Sequence, residues 1–234
     1  MPPVRSVPCN GVDEIEYTVR RSARASRVRV KVSARGEDGD AAGVEVVLPA
    51  RAPERAAAAA ISELRPWIER RLADAERVRA QLAARGRMLP YLGEPLELVP
   101  QRGRTRVLRR GDRLLVPERD PRAALERFYR RAARAEISAR LDRATALAGT
   151  SYSSLQIRSQ RTRWASCSPG GRMSFNWRLL LAPERVLDYV VWHEVCHLEL
   201  ADHSRAFWRL LERRWPGYRD DRRWLQRNGP TLVL

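Results

Sequence analysis

His193, His197 and His203 are the only histidines of a 234-residue chain, and all three fall within the stretch HEVCHLELADH. Imidazole titrates near neutral pH and is the commonest metal-binding side chain. Residues four apart lie one above the other on the same face of an α-helix, so His193 and His197 can present their rings to one ion. Glu194 is rotated about 100° from His193. That takes it out of the ligand plane but leaves it able to reach a water on the metal. H-E-x-x-H supplies two nitrogen ligands, an open coordination position and a carboxylate base beside it.

The third histidine constrains the local fold. On an unbroken helix His203 would stand about 15 Å from His193 along the axis, too far to share an ion. The chain must therefore break after His197, and Ala201-Asp202 followed by Ser204 supplies a turn and a new helix cap there. His203 can then swing back to complete a three-nitrogen site with water as the fourth ligand. Cys196 reads as a small buried residue of the helix stripe, with a thiolate ligand as the alternative. A cysteine nucleophile at Cys167 would leave two histidines and Glu194 unused. Tyr189, one turn before His193, reads as packing. Asp202, Asp220 and Asp221 read as solvated acids, with orientation of a ligand histidine as their alternative role.

The elements that must position this cluster are signalled along the chain. Residues 15–32 read as a strand with one wet face, because Val28, Val30 and Val32 alternate with Arg29 and Lys31. GEDGD reads as a turn and VEVVLPA as a returning strand. Pro53 opens a helical stretch that Pro66 either kinks or restarts, closed by Gly86. A β-like region runs from LGEPLELV to RLLVP. Asp120-Pro121 then caps a long helix with Leu125, Phe128, Ala132, Ile137, Leu141 and Ala144 on its inner face, stopped by Gly149. SSLQIRSQ and GRMSFNWRLLL read as strands joined by a loop holding RWASCSPGG. Pro183 starts the metal helix, whose buried stripe is Val186, Leu187, Val190, Val191, Val195 and Leu198. A further helix begins at Ser204 and stops at Pro216.

Composition narrows the class. No run approaches the roughly eighteen apolar residues of a membrane span, and the N-terminal stretch has no apolar core of a secretory signal. Cys9, Cys167 and Cys196 are too few and scattered for a disulfide framework, which fits a reducing cytoplasm. The formal charge of +17 invites nucleic-acid or polyanion contact through an Arg-rich surface. Lys31 is the only lysine and alanine is abundant, so joint Arg/Ala enrichment from coding bias is the competing account.

The segment RTRWASCSPGGRMSFNWRLLLAPERVLDYVVWHEVCHLELADHSRAFW resembles the YgjP-like (SprT-related) metal-dependent hydrolases. Their pattern is roughly RWGSCS, NWRL, DYVVxHELCHL and NHSxxFW, and it matches without gaps over residues 161–208. Ala165 stands where that family usually has Gly, and Asp202 where Asn is common. Leu200 occupies the place of the metzincin glycine, which argues against that clan.

The resemblance implies an α+β fold in which a zincin-like metal-helix domain packs with an N-terminal β-rich and helical region. Residues 12–118 would form that N-terminal region and 119–230 the catalytic region. It further implies Zn2+ held by His193, His197 and His203, with Glu194 as base. Peptide hydrolysis is the favoured reaction. A nucleoside triphosphate pyrophosphatase or phosphohydrolase and a nucleic-acid-associated SprT-like protein stand as alternatives. The purified protein should carry about one zinc per chain. Elemental analysis that finds no first-row metal, before or after zinc addition, overturns the metal site.

Overall fold

Valine alternating with charge builds the first sheet. The computed structural model describes residues 4–7, 15–33, 43–160 and 162–234, so the turn expected at GEDGD lies outside the described residues. Strand β1 (Val4–Val7) pairs antiparallel with β2 (Ile15–Ser22). The single strand expected over 15–32 is instead two, because the chain turns at Ser22–Ala25 and resumes as β3 (Arg29–Ser33). That reversal lets β2 and β3 flank opposite edges of β4 (Gly43–Pro49), parallel and antiparallel respectively. Val46 and Leu48 of the central strand are thereby fully buried.

Helix α1 (Arg55–Arg85) lays Ala57, Ile61 and Ile68 onto that sheet's core. It runs through Pro66 without a restart. Pro66 is exposed, so the carbonyl its missing N–H leaves bare faces the wet side of the helix. Contacts divide the chain into two compact units, Met1–Ala84 and Arg85–Leu234.

The second unit begins with four strands, β5 (Met88–Tyr91), β6 (Glu94–Gln101), β7 (Leu108–Arg110) and β8 (Arg113–Pro117), arranged in the order β5-β6-β8-β7. Helix α2 (Pro121–Ala148) follows. Asp120 caps it by accepting from the Ala123 N–H, and Gly149 ends it in the left-handed conformation. Its buried stripe runs through Leu125, Tyr129, Ala133, Ile137 and Leu141. The expected Phe128 and Ala132 are only half-buried. Tyr129 takes the inner place because its hydroxyl finds the Pro90 carbonyl at 2.7 Å, which satisfies the polar tip of a buried ring.

Strands β9 (Ser154–Arg158), β10 (Ala165–Cys167) and β11 (Arg172–Asn176) form a second sheet in the order β10-β11-β9. Two expectations change here. The segment RWASCSPGG, expected as loop, contains the edge strand β10. SFN is the middle strand, and WRLLL turns into a 3-10 helix over Trp177–Leu181. Gly171 makes the return from β10 to β11 possible: its φ is +69°, and a Cβ there would sit 3.3 Å from the Ser153 nitrogen.

Helices α3 (Glu184–Cys196), α4 (Arg205–Arg214) and α5 (Tyr218–Asn228) complete the unit. The stripe of α3 is buried as expected through Val195, while Leu198 lies beyond the helix end and is half-buried. Helix α2 packs on α3, and Arg140 staples the two by bonding Glu136, Glu184 (2.5 Å) and Asp188 (2.9 Å). Among the described residues no helix is long and apolar enough to cross a membrane.

The structure is thus α+β, as expected. Ile137 is fully buried at the centre of α2, whereas Leu147 on the same helix is 73% exposed. Ile137→Ala should destabilise by about 2–5 kcal/mol and Leu147→Ala by less than about 0.5 kcal/mol. Denaturant midpoints check both.

Candidate metal centre

Helix α3 ends where the cluster needs it to end. Cys196 is its last residue, and His197 caps it with φ −70° and ψ −14°. Tight turns then carry the chain to Ser204, whose hydroxyl accepts from the Phe207 N–H and starts α4. The break returns His203 to the other two histidines. His203 Nε2 lies 3.0 Å from His193 Nε2 and 3.2 Å from His197 Nε2.

Among the described residues these three form a group that could hold a metal ion. The spacing can be tested against coordination chemistry. Zn–N bonds of 2.0–2.1 Å at tetrahedral angles put ligand nitrogens about 3.3–3.4 Å apart. The observed separations lie just under that edge, so the cluster is close to the size a tetrahedral ion requires.

Backbone and aromatic groups fix the rings. His197 Nδ1 donates to the Leu200 carbonyl at 3.0 Å, so the proton sits on Nδ1 and Nε2 is left bare. Phe207 stacks on His197 at 4.5 Å and meets His193 edge-on at 5.0 Å. Trp208 stacks on His203 at 5.4 Å. Tyr189 packs edge-on against His193 and stacks on Tyr218.

Burial, the neighbouring imidazoles and the Arg222 guanidinium hold His193 down to about 3. Burial, followed by His197 and Arg222, also lowers His203. Both rings are therefore neutral at physiological pH with lone pairs available, the state a metal requires.

Glu194 is 5% exposed. Burial pushes its carboxyl up to about 8, and only the Cys167 backbone N–H pulls the other way. Its Oε2 has no hydrogen-bond partner. One oxygen of this buried carboxyl is thus bonded and the other bare.

The remaining candidates fall outside the cluster. Cys196 is buried with its sulfur 3.8 Å from Arg214 Nη1. Burial raises the Cys167 thiol to about 11, which leaves it un-ionised and a poor nucleophile. Asp202 accepts from the Ser204 N–H, Asp220 pairs with Arg223, and Asp221 bonds Arg185 and Trp215. None of them bonds a histidine. The orienting groups that sequence reasoning missed are the Leu200 carbonyl, the Cys167 N–H and the rings of Phe207 and Trp208. Only the aromatic pair had left a signal, in SRAFW one turn into the helix after His203.

A helix that presents two histidines and a buried carboxylate, closed by a third histidine from the following turn, defines a metal-helix domain of the kind metallopeptidases use. The profile of the YgjP-like, metallopeptidase domain matches residues 29–228, and the chain belongs to that family. No curated protein sequence matches it. A similar solved structure is that of the metallopeptidase zymogen of Pyrococcus abyssi abylysin. It is 26% identical, with a TM-score of 0.35, covering 38% of this chain and 92% of that one.

His203 is exposed, and its contacts are to rings rather than to the backbone. His203→Ala should leave the fold intact by circular dichroism. Metal retention in a chelator competition should weaken by at least the roughly 10–100-fold that outer partners of a metal ligand are worth. Unchanged retention would remove His203 from the ligand set.

Proposed function

We propose that this chain is a zinc-dependent metallopeptidase in which His193, His197 and His203 hold the metal and Glu194 is the catalytic base. The observation that carries the proposal is the convergence of three Nε2 atoms, with His203 at 3.0 and 3.2 Å from the other two, beside a buried carboxyl whose Oε2 is unpartnered. Zinc held there would supply a Lewis acid, polarising the scissile carbonyl and acidifying a water.

The chain's own part is proton transfer and substrate alignment. Glu194 Oε2 takes a proton from the attacking water as its oxygen bonds the carbonyl carbon. It then delivers that proton to the leaving nitrogen as the C–N bond breaks, giving an acid and an amine. The Cys167 N–H holds the other carboxylate oxygen, so the acceptor oxygen is fixed in direction.

Strand β10 favours a peptide over a nucleotide. It is an edge strand and adjoins Glu194 through Cys167, so an extended peptide can add to it by main-chain hydrogen bonds and run past the base. Unpaired Cys167 and Cys196 suit work in a reducing compartment such as the cytoplasm.

Glu194→Gln should retain zinc, because every ligand nitrogen remains. It should lose about 10²–10⁴-fold in turnover, because the base is gone. Zinc-loaded wild type and variant are incubated side by side with casein-derived peptides and with a nucleoside triphosphate. Peptide cleavage by wild type alone is expected. Phosphate or pyrophosphate release with peptides untouched would replace the peptidase with a nucleotide hydrolase.

A further inference from the structure

The arginines of the second unit are unevenly placed. Two depressions meet at Ser159 and Gln160. One, of about 750 Å³, is lined by Arg122, Arg163 and Arg178 together with Trp164 and Asn176. The other is lined by Arg130, Arg134 and Arg158. Among the described residues no aspartate or glutamate lines either one. Glu126 reaches their junction from α2, accepting from the Ser159 hydroxyl at 3.1 Å and pairing with Arg130 at 3.5 Å.

The whole chain carries 28 acidic against 45 basic residues, and a single arginine, Arg140, gathers three acidic partners. Compositional bias would bring acids into this lining as well. Arg122 also stands in the first turn of α2, where a cation opposes the helix dipole, so helix stability does not explain it.

The trough leads into the candidate active site through β10. The Trp164 carbonyl accepts from the Asn176 N–H at 2.7 Å, and the Ser168 N–H donates to the Arg172 carbonyl at 3.0 Å. Even-numbered residues therefore turn their backbone groups toward β11. Antiparallel alternation then turns those of Ala165 and Cys167 outward, consistent with the Cys167 N–H reaching Glu194. A chain paired along that edge passes Glu194 beside Cys167 and meets Arg163, four residues back along the chain, within about 13 Å.

The lining suits carboxylates better than nucleotides. A polynucleotide gains much of its affinity by stacking bases on free aromatic faces. Trp164 is the aromatic residue of the lining, and its six-membered ring is seated on Gly229, where an added Cβ would lie 2.9 Å from Cζ2.

We propose that this trough docks an acidic stretch of the polypeptide substrate, about three to five residues along an extended chain from the bond that is cut. The proposal rests on the peptidase assignment and adds the substrate class. The test uses fluorogenic peptides with a common core and three flanking glutamates or three glutamines, placed on each side in turn. The enzymes are zinc-loaded wild type and Arg122→Gln/Arg163→Gln.

For one flank, the glutamate peptide should show a KM about five-fold lower than its glutamine twin at similar kcat, an advantage that fades with added salt. The double variant should lose that advantage and cleave the glutamine peptide as wild type does. Equal KM values, or an advantage that survives in the double variant, overturn the proposal.

Fluorescence anisotropy with the Glu194→Gln protein separates the two assignments, since it reads a labelled glutamate-rich peptide without any cleavage. Failure of all cleavage would count against the peptidase, while peptide binding lost in the double variant would still support the trough. An oligothymidylate of equal charge that binds more tightly than the peptide, and is lost in the double variant, would give the trough to a polynucleotide instead.

Discussion

Three imidazoles whose Nε2 atoms gather on His203, at 3.0 Å from His193 and 3.2 Å from His197, beside a buried carboxyl are the constraint on which the rest of the second unit turns. Bringing three imidazoles together means that each gives up water and rotamer freedom. The cost is met by ordering the surroundings: the stop of α3 at Cys196, the Leu200 carbonyl on His197, and Phe207 and Trp208 from α4 against all three rings. Helix α4 is therefore as much a part of the site as α3, although it contributes no polar atom to it.

The same economy governs Glu194. Its burial costs stability whenever the carboxyl is charged, and one backbone N–H offsets only part of that cost. Such a group is retained where a proton has to be taken and returned. Strand β10 supplies that N–H and also lies at the edge of its sheet, so the proposed base and the proposed substrate edge are set by one three-residue strand. The Gly171 turn that folds β10 back on β11 thereby acts on the site from a distance.

Charge in this protein divides into two populations. Arg140 and Arg185 hold elements together, Arg185 by satisfying Asp221 inside the α5 face. The trough gathers six arginines with, among the described residues, one acid at its junction, Glu126. A net charge of +17 is silent about that division, because it depends on which surfaces the fold brings side by side.

The sequence alone determined the family and much of the scaffold. Residue type and four-residue spacing singled out His193, His197 and Glu194 as candidates, and the need to break the helix before Ser204 added His203, which the fold brings beside the other two. The caps of α2 and the stripe of α3 were equally legible, since caps and periodicity are local. Helix α5 was not, because a buried acid, Asp221, interrupts its apolar face and is tolerated only through Arg185 and Trp215. Strand β10 is too short to show alternation. The groups that orient the site, the Leu200 carbonyl and the Cys167 N–H, are backbone atoms that every residue but proline carries in full, so no side-chain letter marks them. Only the tertiary structure decides which of them points at a histidine or a carboxylate.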